Sequence, residues 1–276
     1  MKKNILCIIL LILSLTTFIV YNKRTEAQTD SVPPVLFCET SEITASVSEI
    51  TDEFLLRGVT AHDNRCGDVT DSLMVQSISN FIQKNTVIVT YAAVDDSNNV
   101  GRLERTLVYT DYKAPQFKLT KPLLFSAGTN VNFLGNIRAN SSIDGDLSTK
   151  IRYGLETIVD NNTPSTYPIT FRVTDSNGVT SYLETEIMIY NSIYASASIT
   201  LSDYLIYIPQ GTKFTRDTAQ KYFKSTSVNL ENEDCELVID CNVDTSTPGV
   251  YNVDYTVHSP NANGKSRLVV VVEANQ

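Results

Sequence analysis

Several aspartates lie in glycine-containing turns, where their carboxylates could bind calcium. Asp144 and Asp146 flank Gly145, and the sequence pattern brings either Asp175 or Asp111 near them. Carboxylate oxygens are the ligands that calcium prefers, so these four aspartates are the candidate metal ligands. Asp-Gly is also a turn signal in its own right, and the spacing matches no complete calcium loop, so calcium stays an open alternative and no other cofactor is expected. A comparable set of aspartates lies one domain earlier: Asp63, Asp68, Asp95 and Asp96.

Catalysis is not expected from the remaining polar residues. The two histidines are His62, among turn-type residues, and His258, on the outward face of a predicted strand. No nucleophile elbow, zinc-helix motif or phosphate loop is present. Asp144 and Asp146 could form a glycosidase-type pair, but neighbouring carboxylates in a turn are usually solvated. The sequence therefore predicts a protein that is not an enzyme.

Four cysteines form two candidate disulfide pairs. Cys38 and Cys66 lie in one repeat, and in an oxidising compartment they would most simply bond to each other. The rival interpretation, a metal site, would need more soft ligands than His62 alone. Cys235 and Cys241 are six residues apart, about 20 Å along a straight strand, so a bond between them requires the intervening segment to bend back. That second pair stays open.

The elements that position these residues are β-hairpins. Tyr167, Ile169, Phe171 and Val173 alternate with polar residues, which is typical of a half-buried strand, and the run 179–189 returns as its partner. The pattern recurs around Tyr91 and Tyr255, 80 residues before and 84 after Phe171. This period is the size of one small all-β domain. The predicted hairpin turns contain three residue pairs: Asn98-Asn99, Asn177-Gly178 and Asn263-Gly264.

Composition agrees with an all-β chain outside the cytoplasm. The net charge of −9 with scattered basic residues argues against a nucleic-acid partner. The apolar run 5–20 lies between the basic pairs Lys2-Lys3 and Lys23-Arg24 and predicts an export segment. Its length fits either a cleaved signal peptide or an uncleaved anchor helix that would make the membrane a partner. We expect four regions: residues 1–28, the signal peptide or anchor helix, and three immunoglobulin-like β-sandwiches at 29–111, 112–192 and 193–276.

The repeats also resemble known families. The first, with Pro33 to Cys38, Ala61 to Gly67 and Tyr91 to Asp95, resembles the hyalin-repeat form of the immunoglobulin-like fold, which implies a role in cell adhesion. The second and third resemble bacterial surface immunoglobulin-like domains, a family that includes a domain of an insecticidal crystal protein. This second resemblance implies seven-strand-type sandwiches without catalysis. The motifs that carry it are Gly128-Thr129-Asn130, Ile137-Arg138-Ala139, Asp144 to Ser148, Asp175 to Gly178, Gly211-Thr212-Lys213 and Val243 to Tyr251.

Two functions remain after catalysis is set aside. The chain is either a semi-rigid surface spacer or adhesion module, or a module that binds a glycan or protein ligand, possibly stiffened by calcium. An accessory region of a cell-surface hydrolase system is a more remote alternative. Binding would place exposed aromatic side chains together, and five tyrosines are candidates for such a patch: Tyr182, Tyr194, Tyr204, Tyr207 and Tyr222. Uniformly polar faces would favour the spacer.

Overall fold

The computed structural model describes residues 2–28, 30–228, 230 and 234–275, with side chains described for residues 10–23 and for the described residues from Asp30 onward. The chain divides into two compact units, Met1–Tyr112 and Lys113–Gln276. The first unit begins with helix α1, Lys2–Gln28, whose side chains from Leu10 to Lys23 are exposed. Among the helices in the described part of the chain, none combines the length and apolarity needed to cross a membrane.

The rest of the first unit is a two-sheet sandwich. Its elements are β1 (Val35–Cys38), β2 (Glu42–Ala45), helix α2 (Asp52–Leu56), β3 (Val59–Asp63), β4 (Gly67–Asp68), β5 (Met74–Ile78), β6 (Thr86–Val94) and β7 (Val100–Tyr109). One sheet has the order β1-β3-β4, and the other has the order β2-β7-β6-β5. The alternating apolar residues of β6 face the other sheet, and Val87, Val89 and Tyr91 are fully buried there.

The second unit contains two more sandwiches. The first of them comprises β8 (Gln116–Leu119), β9 (Leu124–Ser126), β10 (Ile137–Ser141), β11 (Gly145–Asp146), β12 (Arg152–Leu155), β13 (Ser165–Thr174) and β14 (Thr180–Tyr190). The other comprises β15 (Ile199–Leu201), β16 (Leu205–Pro209), helix α3 (Arg216–Gln220), β17 (Phe223–Thr226), β18 (Glu236–Cys241), β19 (Gly249–His258) and β20 (Gly264–Glu273). The larger sheets have the orders β12-β13-β14-β9 and β16-β20-β19-β18.

The same strand arrangement occurs in all three sandwiches. In each, the first strand lies in the smaller sheet, and the second strand crosses to the larger sheet and pairs in parallel with the last strand. A long antiparallel hairpin forms the centre of the larger sheet. The predicted all-β fold of three sandwiches after an N-terminal helix is therefore confirmed.

The aromatic residues that mark the repeat are the centres of the three sandwiches. Tyr91, Phe171 and Tyr255 are 0% exposed. The Tyr91 hydroxyl donates to the Leu55 carbonyl at 2.9 Å, and the Tyr255 hydroxyl donates to the Ala219 carbonyl at 2.7 Å. Each hydrogen bond satisfies a buried hydroxyl and ties the long hairpin to a short helix, α2 or α3. Phe171 has no hydroxyl and makes its contacts through the ring alone.

The second and third sandwiches are less separate than the sequence indicated. We expected an independent interior for each, but Leu205 and Val269 of the third sandwich belong to the same buried cluster as Phe117 and Ile187 of the second. Both residues are apolar members of strands, which is why periodicity alone assigned them to their own sandwich. The predicted boundary at 192/193 thus lies between two sandwiches of one compact unit.

The predicted turns have two different structures. Asn98 and Gly178 have φ values of 64° and 80° in equivalent five-residue turns that begin at Asp95 and Asp175. Asn99 and Asn177 occupy the other predicted positions in these turns. The third turn differs, because Gly264 is already the first residue of β20.

Gly264 is required for close packing rather than for a positive φ. A Cβ at Gly264 would lie 2.5 Å from the Ala197 carbonyl oxygen, and the Asn263 carbonyl accepts from the Ala197 N–H at 2.9 Å. The prediction that Asn263-Gly264 forms the tight turn itself is therefore wrong. The pair instead lets the segment around Ala197, which leads into β15, pack closely across the start of β20.

The cysteines are not bonded in the predicted pairs, and all four are free thiols. Cys38 lies opposite Val59, at the start of β3, whereas Cys66 follows Asp63, at the other end of that strand. The four steps from Val59 to Asp63 cover about 13 Å, which exceeds the reach of about 7 Å that a disulfide allows between Cα atoms. The expected Cys38–Cys66 bond is therefore not formed.

The second pair meets the geometric obstacle that the sequence indicated. Residues Glu236–Cys241 form the unbroken strand β18, which pairs along its whole length with β19. Cys235 and Cys241 thus lie near opposite ends of one strand, about 20 Å apart by the rise of an extended chain. The bend that a Cys235–Cys241 bond requires is absent from this described strand.

Candidate functional site

The predicted calcium ligands of the second sandwich accept hydrogen bonds from the backbone of two turns: Asp144 and Asp175 bond to the turn after β13, and Asp146 to its own turn. Asp144 Oδ2 accepts from the Ser176 N–H at 2.7 Å. Asp146 Oδ1 accepts from the Ser148 N–H at 2.9 Å, and bonding to the Ser148 hydroxyl lowers the pKa of the Asp146 carboxyl. Asp175 Oδ1 accepts from the N–H groups of Asn177 and Val179, at 3.0 and 2.9 Å.

The fourth predicted ligand, Asp111, lies in the first unit. Its Oδ1 accepts from the Val47 N–H at 2.8 Å. Among the described residues, no group of three close ligand atoms is drawn from Asp111, Asp144, Asp146 and Asp175. Asp146 and Asp175 therefore cap their own turns, whereas Asp111 and Asp144 each accept from a backbone N–H that is distant in the sequence.

A different set of carboxylates converges at one end of the first sandwich. Asp30, Asp63 and Asp95 each place a carboxylate oxygen within 4.8 Å of the other two. Asp30 lies in the segment before β1, Asp63 is the last residue of β3, and Asp95 follows β6. They are only 8%, 1% and 5% exposed. We call these three residues the carboxylate cluster.

Local backbone geometry fixes all three members of the carboxylate cluster, beginning with Asp30, whose Oδ1 accepts from the Val32 N–H at 3.0 Å. Asp63 Oδ1 accepts from the N–H groups of Arg65 and Cys66 at 2.8 and 2.7 Å. The Cys66 N–H also lowers the pKa of the Asp63 carboxyl, which favours the ionised form. Asp95 Oδ1 accepts in the same way from the N–H groups of its own turn, at Ser97 and Asn99, both at 2.8 Å.

Asn99 links Asp30 to Asp95. Its side-chain amide donates to Asp95 Oδ2 at 2.8 Å and to the Asp30 carbonyl at 3.2 Å. The result is a compact group of oxygen acceptors, whose chemistry is the binding of positive charge. Sequence reasoning named Asp63 and Asp95 but not Asp30 as ligands, because 33 residues separate Asp30 from Asp63. The one available signal was the Thr-Asp pair that opens the repeat.

A second group of buried charges lies inside the second unit, between its two sandwiches. Arg267 on β20 is 5% exposed and pairs with Asp254 of its own sandwich through Nε at 2.6 Å and Nη2 at 2.9 Å. Its Nη1 pairs with Glu186 of the second sandwich, which also accepts from the Asn252 side-chain amide at 3.2 Å. We call Arg267, Asp254 and Glu186 the junction triad.

A hydroxyl also crosses the junction between these two sandwiches. The Phe117 N–H of β8 donates to the Tyr207 hydroxyl oxygen of β16 at 2.9 Å. Burial raises the pKa of Tyr207 to about 12. Together with the shared core, the junction triad and this bond hold β14 and β8 against the third sandwich.

A shallow groove with aromatic walls lies on the second sandwich. It has a volume of about 470 Å³, and its lining includes Val131, Phe133, Tyr153, Leu155 and Ile158. The rings of Phe133 and Tyr153 meet edge to face with centroids 5.0 Å apart. Tyr153 is 47% and Ile158 is 93% exposed. Sequence analysis missed this groove because its residues come from irregular loops and an edge strand.

The tyrosines that sequence analysis selected are dispersed instead. Tyr182 is 62% exposed on β14. Tyr194 lies against the His258 ring and under the Lys265 ammonium group. Tyr204 and Tyr222 pack against buried clusters.

Comparisons with known proteins give a family match for the third repeat. Residues 200–271 match the family described as "Bacterial surface protein, Ig-like domain". This match confirms the resemblance to bacterial surface immunoglobulin-like domains over the third repeat. The resemblance of the first repeat to hyalin-repeat domains stays a prediction.

One curated relative and two solved structures illustrate the similarity. An uncharacterised 81.3 kDa protein of Acholeplasma phage L2 is 25% identical over 219 residues, and the match covers 74% of this chain but only 27% of that protein. The INT and CBM51-2 domains of Clostridium perfringens ZmpB, the latter with bound GlcNAc, align at 14% identity and a TM-score of 0.23, covering 88% of this chain and 42% of theirs. Drosophila N-cadherin EC1-4 aligns at 14% identity and a TM-score of 0.22, covering 90% and 76%.

Proposed function

We propose that this chain is a non-catalytic extracellular module of a cell surface that acts as a spacer or adhesion element. The fixed junction between the second and third sandwiches carries this proposal. A ligand-binding or catalytic pair of domains commonly closes around its substrate, whereas a spacer must keep its domains in one arrangement. The shared core around Leu205 and Val269 and the buried Arg267 suit a spacer. The match to a bacterial surface family over residues 200–271 supports the location.

Hydrogen exchange in urea tests the fixed junction in the full chain. We expect peptides from β13 and β19 to lose protection at the same urea concentration, because the shared core makes their opening cooperative. Peptides from β6 serve as an internal reference from the other unit. Loss of protection in β19 well before β13 would contradict a rigid spacer.

Antibody labelling of intact cells tests the location. A full-length copy that carries an epitope tag after Gln276 should be labelled on intact cells or recovered from the medium. Labelling that requires permeabilised cells would overturn an extracellular role.

The aromatic groove favours one alternative function, a module that binds a glycan or a protein. Exposed aromatic faces bind sugar rings and apolar side chains. If the groove binds, Tyr153→Ala should abolish the binding of the full chain to a glycan array or to host cells. Tyr182→Ala is the matched control, since Tyr182 is exposed on the same sheet but outside the groove. Equal binding by both variants would remove the groove from consideration.

A further inference from the structure

We propose that the carboxylate cluster of Asp30, Asp63 and Asp95 is a calcium site that fastens the segment before β1 to the end of the first sandwich. The site goes beyond the proposed spacer function and would exist equally in a binding module. Its three ligands come from three distant parts of the chain, so one ion would join the entry segment, the end of β3 and the turn after β6.

Two unpartnered oxygens in the cluster point to a positively charged ligand. Asp30 Oδ2 and Asp63 Oδ2 are buried and accept no hydrogen bond from the described residues. Both side chains belong to residues that are more than nine-tenths buried. A buried carboxylate oxygen without a partner is costly, and like charges within a few ångströms add repulsion. A cation between the carboxylates removes both costs.

The second sandwich shows that the turn itself does not require a carboxylate at Asp63. The equivalent residue there is Ser141, which is 2% exposed and ends β10 as Asp63 ends β3. Ser141 Oγ accepts from the N–H groups of Ile143 and Asp144 at 3.1 and 3.2 Å. Asp63 Oδ1 makes the corresponding pair of bonds in the first sandwich. The second oxygen of Asp63 is therefore surplus to the local fold, and it is buried without a partner among the described residues.

The geometry suits calcium better than magnesium. Two ligands on opposite sides of a calcium ion at about 2.4 Å are about 4.8 Å apart, so oxygens within 4.8 Å of one another fit one calcium coordination shell. Magnesium requires a smaller and nearly octahedral shell, and it keeps most of its water. Three carboxylates held by separate turns favour the larger ion with its flexible geometry. Water molecules would complete the shell.

Calorimetric titration of the chelator-treated full chain with calcium chloride tests the site. We expect one calcium ion per chain at the cluster, with magnesium binding at least about tenfold more weakly. Asp63→Ser should weaken calcium binding by about tenfold or more, because it removes a ligand oxygen and a charge. This variant copies the residue of the second sandwich and keeps an acceptor for the two turn N–H groups. Asp146→Ser is the matched control and should bind calcium as the natural chain does.

Thermal unfolding gives a second test, because the effect of Asp63→Ser on the unfolding temperature should differ between calcium and chelator. With calcium, Asp63→Ser should unfold at a lower temperature than the natural chain, because bound ligand stabilises the folded state. With chelator, Asp63→Ser should unfold at an equal or higher temperature, because it removes carboxylate repulsion. A variant that is destabilised equally in both conditions would show a purely structural role and overturn the proposal. So would tighter binding of magnesium than of calcium, or no binding to the natural chain at millimolar calcium.

Discussion

The carboxylate cluster and the junction triad bury charge in opposite ways. In the cluster, Asp30, Asp63 and Asp95 carry the same sign, and two of their oxygens have no partner among the described residues. In the triad, one guanidinium group pairs with carboxylates of two sandwiches. Burial makes an isolated charge expensive, so the triad is balanced by the chain itself whereas the cluster requires a positive charge from outside. The junction between the second and third sandwiches is thus held by charges of the chain itself, whereas the stability of the first sandwich depends on the cations in solution.

The largest effect is expected from breaking the balanced group. Arg267→Met should lower the free energy of unfolding of the second unit by about 3 kcal/mol, because Glu186 and Asp254 lose their shared cation. The estimate is at the lower end for a buried pair because these two side chains are 31% and 27% exposed. Urea unfolding of the full chain, followed by hydrogen exchange in β13 and β19, measures the loss.

Arg172→Met is the control for that change, since Arg172 lies on the exposed face of β13. It should change stability by no more than about 0.5 kcal/mol. An equally small effect of Arg267→Met would mean that the shared core alone holds the junction. The charge balance of the junction triad would then contribute little to stability, and the triad would not differ from the carboxylate cluster in this respect.

A smaller effect extends the comparison to buried groups without charge. Tyr255→Phe should cost about 1 kcal/mol, because the Ala219 carbonyl loses the hydroxyl donor but keeps the Tyr222 N–H at 3.0 Å. Tyr182→Phe alters a hydroxyl on an exposed ring and should have almost no effect. Chemical denaturation of both variants measures the difference. If Tyr255→Phe were as stable as the natural chain, the buried hydroxyl would contribute nothing, and a phenylalanine such as Phe171 would stabilise a sandwich as well as tyrosine does.

The last effect is expected at the junction hydroxyl and appears only at alkaline pH. The pKa of Tyr207 is about 12 in the folded chain, against an ordinary value of 10. Because the folded pKa is raised, the unfolded chain loses this proton first, so the contribution is complete below pH 10 and is lost as pH rises to 12. Denaturation at a series of pH values should show this loss, and it should be smaller in Tyr207→Phe. An unchanged slope in that variant would assign the alkaline loss to other groups.

The long hairpins were predictable because their signals are local. Tyr167 to Val173 alternates in period two, and Asp175 to Gly178 contains the turn residues, so both strand and turn follow from neighbours in the sequence. The same reasoning counted three sandwiches correctly. The prediction was wrong at Gly264. The Asn-Gly pair there resembles a tight turn, but the glycine is needed because the Ala197 carbonyl packs closely against it.

The sites were not predictable because they depend on register and packing. Asp30, Asp63 and Asp95 come together only when β3 and β6 end at the same side of the sandwich. Cys38 and Cys66 lie in the same repeat, but β1 pairs with β3 so that the two cysteines lie at opposite ends of β3. The junction core is hidden for a similar reason, since Leu205 and Val269 lie in the continuous apolar runs 204–208 and 268–272, whose residue types do not indicate which neighbour each strand face contacts.

The parallel pairing of the second and last strands has a mechanical consequence. In the third sandwich, β16 lies near the entry of the chain and β20 near its exit, and five residue pairs join them from Leu205–Val269 to Pro209–Glu273. A pull on the two ends of that sandwich slides these strands past each other, so the load falls on all of their hydrogen bonds together rather than on one at a time. β2 with β7 and β9 with β14 repeat this arrangement. Tension along the chain therefore meets the same clamp in each sandwich.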